Sequence, residues 1–157
     1  MNSDDLAHIS AELGQYTSRG VFAGMSESAR RGGRTRFVFK WLLDQEFVLD
    51  VVSDNNQLMC VDVLPHIVNR SFLDQAVRAY IKSRSQPDLP EHRRIDLSKV
   101  SIAYRNRKGS GTLIMQVAEG ETAYALKAML RLMNDLFSWL HLYHIDYLHQ
   151  HFGVPQE

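Results

Sequence analysis

The chain has 157 residues, a formal net charge of +0 at pH 7, 45% hydrophobic and 23% charged residues. This is the composition of one ordinary folded domain, which excludes a disordered chain and any overall attraction to nucleic acid or anionic membrane. The single cysteine, Cys60, excludes an intrachain disulfide, and no apolar run approaches the ~20 residues of a membrane helix, so a cytoplasmic protein is expected.

The N-terminal stretch MNSDDLAHISAEL carries no secretion-signal pattern. Ser3-Asp4-Asp5 reads as a helix start, followed by Leu6, Ile9, Leu13 and Tyr16 at helical spacing. Gly14 and Gly20 weaken or end that helix. Residues 17–34, TSRGVFAGMSESARRGGR, predict a flexible basic loop. Arg30, Arg31, Arg34 and Arg36 offer contact to phosphate or nucleic acid, although the Lys-Ser/Thr ending of a phosphate loop is absent.

TRFVFKWLL, EFVLDVVS and QLMCVDVLP predict three strands in two successive hairpins. Pairing Leu43 with Phe47 and Ser53 with Gln57 sets Phe39 against Val51, Val51 against Met59 and Leu49 against Val61, all on one core face. The other face then carries Val38, Leu42, Val48, Val52, Leu58 and Cys60 around Lys40, Asp50 and Asp62, with Lys40 and Asp50 as cross-strand neighbours. So apolar an outer face needs a cover. Val38, Leu42, Val48 and Val52 are therefore the expected client-binding residues.

Pro65 ends the third strand. RSFLDQAVRAYIKSR predicts a helix capped by Ser71 or Asn69, and residues 83–96 a loop. KVSIAYRN and GTLIMQVA predict a further hairpin with Tyr104 opposite Leu113. Glu121 to about Phe152 predicts one long helix, ended by Gly153 and Pro155. The order α-β-β-β-α-β-β-α with antiparallel hairpins means an α+β fold, a single domain over 1–157 with its core over 36–152.

That last helix bears a stripe of Leu126, Met129, Leu130, Met133, Leu136, Phe137 and Leu140, which His144, Tyr147, Leu148 and His151 continue. Four of the seven histidines lie in HLYHIDYLHQH, residues 141–151. His141 and His144 are three apart, but no further ligand shares their face and metalloprotease spacing is absent, so packing is expected rather than a metal. A second apolar sector, Leu132, Trp139, Leu142 and Tyr143, is covered either by the N-terminal helix or by another copy of the chain. Trp139, Leu142 and Tyr143 are the expected homodimer contacts. The sequence holds no Gly-x-Ser-x-Gly, dinucleotide fingerprint or Cys-x-x-Cys, so no catalytic residue, metal or cofactor is expected.

In order and pattern, RFVFKWLLDQEFVLDVVSDNNQLMCVDVLP, FLDQAVRAYIKS, VSIAYRNRKGSGTLIMQV and the terminal helix from Thr122 resemble the type III secretion chaperones and the related bacterial YbjN-like proteins. The resemblance covers Arg36 to about Phe152. It implies a non-catalytic homodimer whose apolar sheet and helix surface holds an extended segment of a client protein. The expected function is a protein-binding module, chaperone-like or a regulatory adaptor. The alternative is a nucleic-acid or phosphate binder using the arginine cluster.

Overall fold

The computed structural model describes residues 1–156. Asn2 caps the first helix, α1 (Ser3–Ser18): its side chain accepts from the Asp5 amide at 2.9 Å, and the Asp5 carboxylate accepts from the Asn2 amide at 3.0 Å. The reciprocal pair satisfies two amides that the first turn leaves free. The helix runs through Gly14 and stops at Arg19 and the left-handed Gly20.

The stretch read as a loop over 17–34 instead holds a strand, β1 (Met25–Arg30), paired along its whole length with β2 (Arg34–Lys40). It has no apolar alternation because it lies at the sheet edge and buries almost nothing. Its partner's main chain, not its side chains, holds it in place. The connecting turn needs glycine. Gly32 and Gly33 have φ of 74° and 66°, and a Cβ on Gly33 would stand 2.6 Å from the Asp54 carboxylate.

β3 (Glu46–Val52), β4 (Gln57–Leu64), β5 (Val100–Arg107) and β6 (Ser110–Val117) complete a six-stranded antiparallel sheet in the order β1-β2-β3-β4-β6-β5. The fold is α+β, as expected. Two registers differ from the expected ones. Phe47 faces Phe39, not Leu43, because Leu42–Asp44 forms a 3-10 turn in which Leu43 and Asp44 take positive φ. This shift keeps the residues of β2 and β3 themselves on their expected faces. Between β3 and β4 the slip is one residue: Val52 faces Gln57 and Leu49 faces Cys60. Leu58 and Cys60 therefore enter the core, and Met59 moves to the outer face. Asp50 lies opposite Arg36, while Lys40 pairs with Glu46 across the strands and contacts Asp44 at 3.6 Å. The β5–β6 register is as expected, with Tyr104 opposite Leu113. Gly111 leaves room for the Tyr104 ring, which a Cβ there would meet at 2.6 Å.

Helix α2 (Phe72–Ser83) starts at Ser71, whose hydroxyl accepts from the Asp74 amide. Buried Asp74 accepts from the Arg70 amide at 3.0 Å, from Asn106 Nδ2 at 2.9 Å and from Arg78 Nε at 3.1 Å. Asn106 also donates to the Ile67 carbonyl at 2.8 Å and accepts from the Gly109 amide at 3.0 Å. This closed set of hydrogen bonds ties the start of α2 to the β5–β6 hairpin.

The long terminal helix is broken. α3 (Thr122–Tyr143) ends at His144, which has φ −138° and ψ 44°, and α4 (Ile145–Phe152) restarts in another direction. The turn lets Tyr147 and Leu148 enter the core, and the Tyr147 hydroxyl donates to the Pro65 carbonyl at 2.6 Å. The helices pack on one face of the sheet. Ile9 and Leu13 of α1, Val77 and Ile81 of α2, the stripe of α3 and Leu148 of α4 share one core with Phe37, Leu49, Val51, Leu58 and Met115. Near the β2–β3 turn, Phe22 stacks on Phe39 at 4.2 Å between centroids, with Trp41 edge-on to Phe22.

Candidate functional site

The outer face of the sheet is the one turned away from the core that the helices share. Strand registers carry three rows of side chains across it. One runs Ser28, Arg36, Asp50, Met59, Ile114, Ala103; the next runs Arg30, Arg34, Val52, Gln57, Gln116, Ser101. A shorter row joins Ser26, Val38 and Val48. Val38, Val48, Val52, Met59 and Ile114 all stand outside the core that the helices share with the sheet; Val52 and Met59 are nonetheless buried, and Val38, Val48 and Ile114 are half-buried. Three of the four residues expected to bind a client, Val38, Val48 and Val52, thus come together here. Leu42 does not: it sits in the β2–β3 turn and packs on the core side. Met59 and Ile114 complete the patch. The β3–β4 register expected from hydropathy puts Met59 in the core; the observed one, a residue away, puts it on the outer face opposite Asp50. Ile114 belongs to the face of β6 opposite Leu113 and Met115, and period-2 alternation alone locates it.

A charge cluster interrupts this apolar face. Asp50 is fully buried, clamped by Arg36 through Nε at 2.8 Å and Nη2 at 2.9 Å and by Arg34 through Nη1 at 3.0 Å. The fork-to-carboxylate geometry of Arg36 is the strong, directional kind. Arg34 and Arg36 lie over the carboxylate, with 37% and 29% of their side chains exposed. The arginine cluster is therefore divided. Two members neutralise Asp50, Arg30 leans on the Ser28 hydroxyl at 3.3 Å, and exposed Arg31 stands at the hairpin turn. This leaves a weaker phosphate cradle than four free guanidinium groups would make.

The second apolar sector of the terminal helix is also divided. Leu132 is buried, and Trp139 is half-buried beneath Tyr80 of α2, their rings stacked at 4.6 Å. Leu142 and Tyr143 are 71% and 66% exposed. Tyr143, but not Leu142, belongs to a groove of about 410 Å³ at the α3–α4 break, lined in part by His66, Val68, Leu73, Tyr143, His144 and His151. Val68, 73% exposed, lines the same groove, so two of the six exposed large hydrophobics, Val68 and Tyr143, belong to it. Helical spacing placed Leu142 and Tyr143 on a common sector. That spacing gives no sign of Val68 there, because only the folded path after Pro65 brings it to the groove.

Among the described residues no group of three or more His, Cys, Asp or Glu is placed to hold a metal ion. His141 and His149 are not among the residues lining the groove, and the His149 ring pairs with the Val154 carbonyl at 2.9 Å. Burial pushes the Cys60 thiol well above its ordinary range, which removes its nucleophilicity. No helix among the described residues is long and apolar enough to cross a membrane. No family model, curated protein or solved structure matches the chain, so its own geometry carries the functional reading.

Proposed function

We propose that this chain is a non-catalytic protein-binding module that acts as a homodimer and holds an apolar client segment on its open sheet face. The observation that carries the reading is the outer face itself. Val38, Val48, Val52, Met59 and Ile114 stand on the side of the sheet away from every helix core residue. Val52 and Met59 are buried and Val38, Val48 and Ile114 half-buried, so the last three carry the apolar area that another polypeptide would release from water, at about 25 cal/mol per Å². The Asp50–Arg34–Arg36 cluster adds polar groups within the patch that select orientation. The dimeric part of the reading comes from the exposed Leu142–Tyr143 end of α3 and from the resemblance to secretion chaperones.

A photo-crosslinking side chain at Val48 in cells identifies the bound segment, and a synthetic peptide of that segment then gives a dissociation constant. Val48→Asp is expected to weaken that peptide about tenfold or more, the cost of desolvating a carboxylate on an apolar contact. Binding is expected to change little between low and moderate salt. A dissociation constant that instead climbs steeply with salt assigns the site to phosphate contacts by the arginines. The absence of any crosslink to a polypeptide rejects the client reading.

A further inference from the structure

We propose that the cleft between α1, the chain that leaves it and α3 is a binding site for a small aromatic carboxylate: the ring lies among Tyr16, Phe22 and Trp41, and the acid meets Lys127 and Arg131. No residue of the outer-face patch lines this cleft, so the inference goes beyond the client reading and does not rest on it.

The local sequence builds the walls. α1 ends at Ser18 and the chain turns back on it: the Val21 amide donates to the Tyr16 carbonyl at 2.9 Å, and the Ala23 amide to the Lys40 carbonyl at 2.8 Å. Phe22, held between these two bonds, sets its ring 5.3 Å from Tyr16 and 5.5 Å from Trp41. Leu130 of α3 adds an aliphatic wall, and Val21, 44% exposed, lines the cleft beside them. The space is about 240 Å³. A dry apolar cavity of about 150 Å³ takes a benzene ring, so this one has room for a ring with a short side arm. Aromatic walls favour an aromatic guest through edge-to-face and offset contacts. Their backbone is pinned before any ligand arrives, which keeps the ordering cost of binding small.

The charges choose the sign of the ligand. Lys127 and Arg131 lie one helical turn apart on α3, with Asn134 on the next turn of the same face. No aspartate or glutamate lines the cleft, and among the described residues neither cation forms an ion pair with a carboxylate. Arg131 gives Nη1 to the His92 carbonyl at 3.1 Å, which leaves the other N–H groups of its guanidinium for a ligand. Aromatic rings alone would also draw a cation, but two positive side chains beside them oppose one. A second copy across a two-fold would set these cations against their own images. A cleft of this size also supplies only a small part of the roughly 800 Å² per partner that a stable protein interface buries. An apolar ring bearing one negative group satisfies the rings and the cations together. A carboxylate, flat and compact, accepts from ammonium and guanidinium donors at once.

Calorimetric titration of the full chain with hydrocinnamate at neutral pH is expected to show one site with a dissociation constant of about 1 mM or tighter. The neutral amide of the same acid is expected to bind about tenfold more weakly, having lost the charge-assisted hydrogen bonds. Phenethylamine, of opposite charge, is expected not to bind. Amide resonances of Val21, Phe22 and Leu130 are expected to shift as the acid is added. Lys127→Glu, at an exposed position, is expected to weaken the acid about tenfold while leaving the amide and the thermal transition where they were. No saturable heat up to about 10 mM hydrocinnamate overturns the site. Equal affinity for acid and amide, or an undiminished affinity in Lys127→Glu, overturns the carboxylate assignment. Inorganic phosphate binding as tightly as the acid overturns the role of the rings. Resonance shifts confined to other residues overturn the location.

Discussion

Asp74 shows how a single carboxylate can organise a junction. Burial alone would raise its pKa, but hydrogen bonds from Asn106, the Arg70 amide and Arg78 outweigh that and hold it below the ordinary carboxylate value. A group with a depressed folded pKa contributes stability that is present above its unfolded value, about 3.9, and lost as pH falls through the folded value. Asp74→Asn should therefore cost about 1–3 kcal/mol near neutrality, and its deficit against the parent chain should shrink as unfolding is followed into acid below about pH 4. Cys60 makes a second residue-level prediction. Its thiol is buried among apolar neighbours and its pKa is driven upward, first by desolvation and then by the Asp50 charge. A thiol reagent at neutral pH should leave the folded chain unmodified and react with one equivalent in denaturant.

Elements differ in how plainly the sequence announces them. The β5–β6 hairpin is legible because β5 alternates and its tight turn has Lys108 and Gly109 at positive φ, so one register aligns Tyr104 with Leu113. The β3–β4 register is not, because both faces of β4 are apolar and hydropathy cannot choose between Leu58 and Met59. β1 is invisible for the opposite reason, as MSESAR offers no apolar residue larger than Ala29 after Met25. The kink at His144 has neither proline nor glycine to mark it; the pull of Tyr147 and Leu148 toward the core produces it. The client patch was half legible. Moving β2 against β3 by an even number of residues preserved the face of Val38, Val48 and Val52, while the odd slip at β4 concealed Met59. The docking of α4 can be tested on its own. Tyr147→Phe removes the hydrogen bond to the Pro65 carbonyl and should cost about 1 kcal/mol in denaturant titration, with the m-value unchanged.

At the scale of the whole molecule, helices and sheet form two layers, with the helices on one side only. The sheet's two free edges are β1 and β5, and exposed arginines stand on both: Arg30 on one, Arg105 and Arg107 on the other. Charged edges discourage indiscriminate strand pairing. The central Asp50 cluster gives the apolar face a polar landmark that greasy side chains alone would lack.

The strand order also governs how the chain reaches this state. β1 to β4 form a meander of neighbours in sequence, whereas β4 meets β6 across a gap that spans α2, with Gln57 opposite Gln116, 59 positions away. Closing that seam bears the largest loop entropy in the sheet, so it should limit the refolding rate. Leu113→Ala, at the seam and fully buried, should slow refolding in stopped-flow experiments. Met25→Ala, on the remote edge strand, should appear chiefly as faster unfolding. Until the seam zips, both halves expose unpaired central strands, and that interval is when a nascent chain is most open to aggregation.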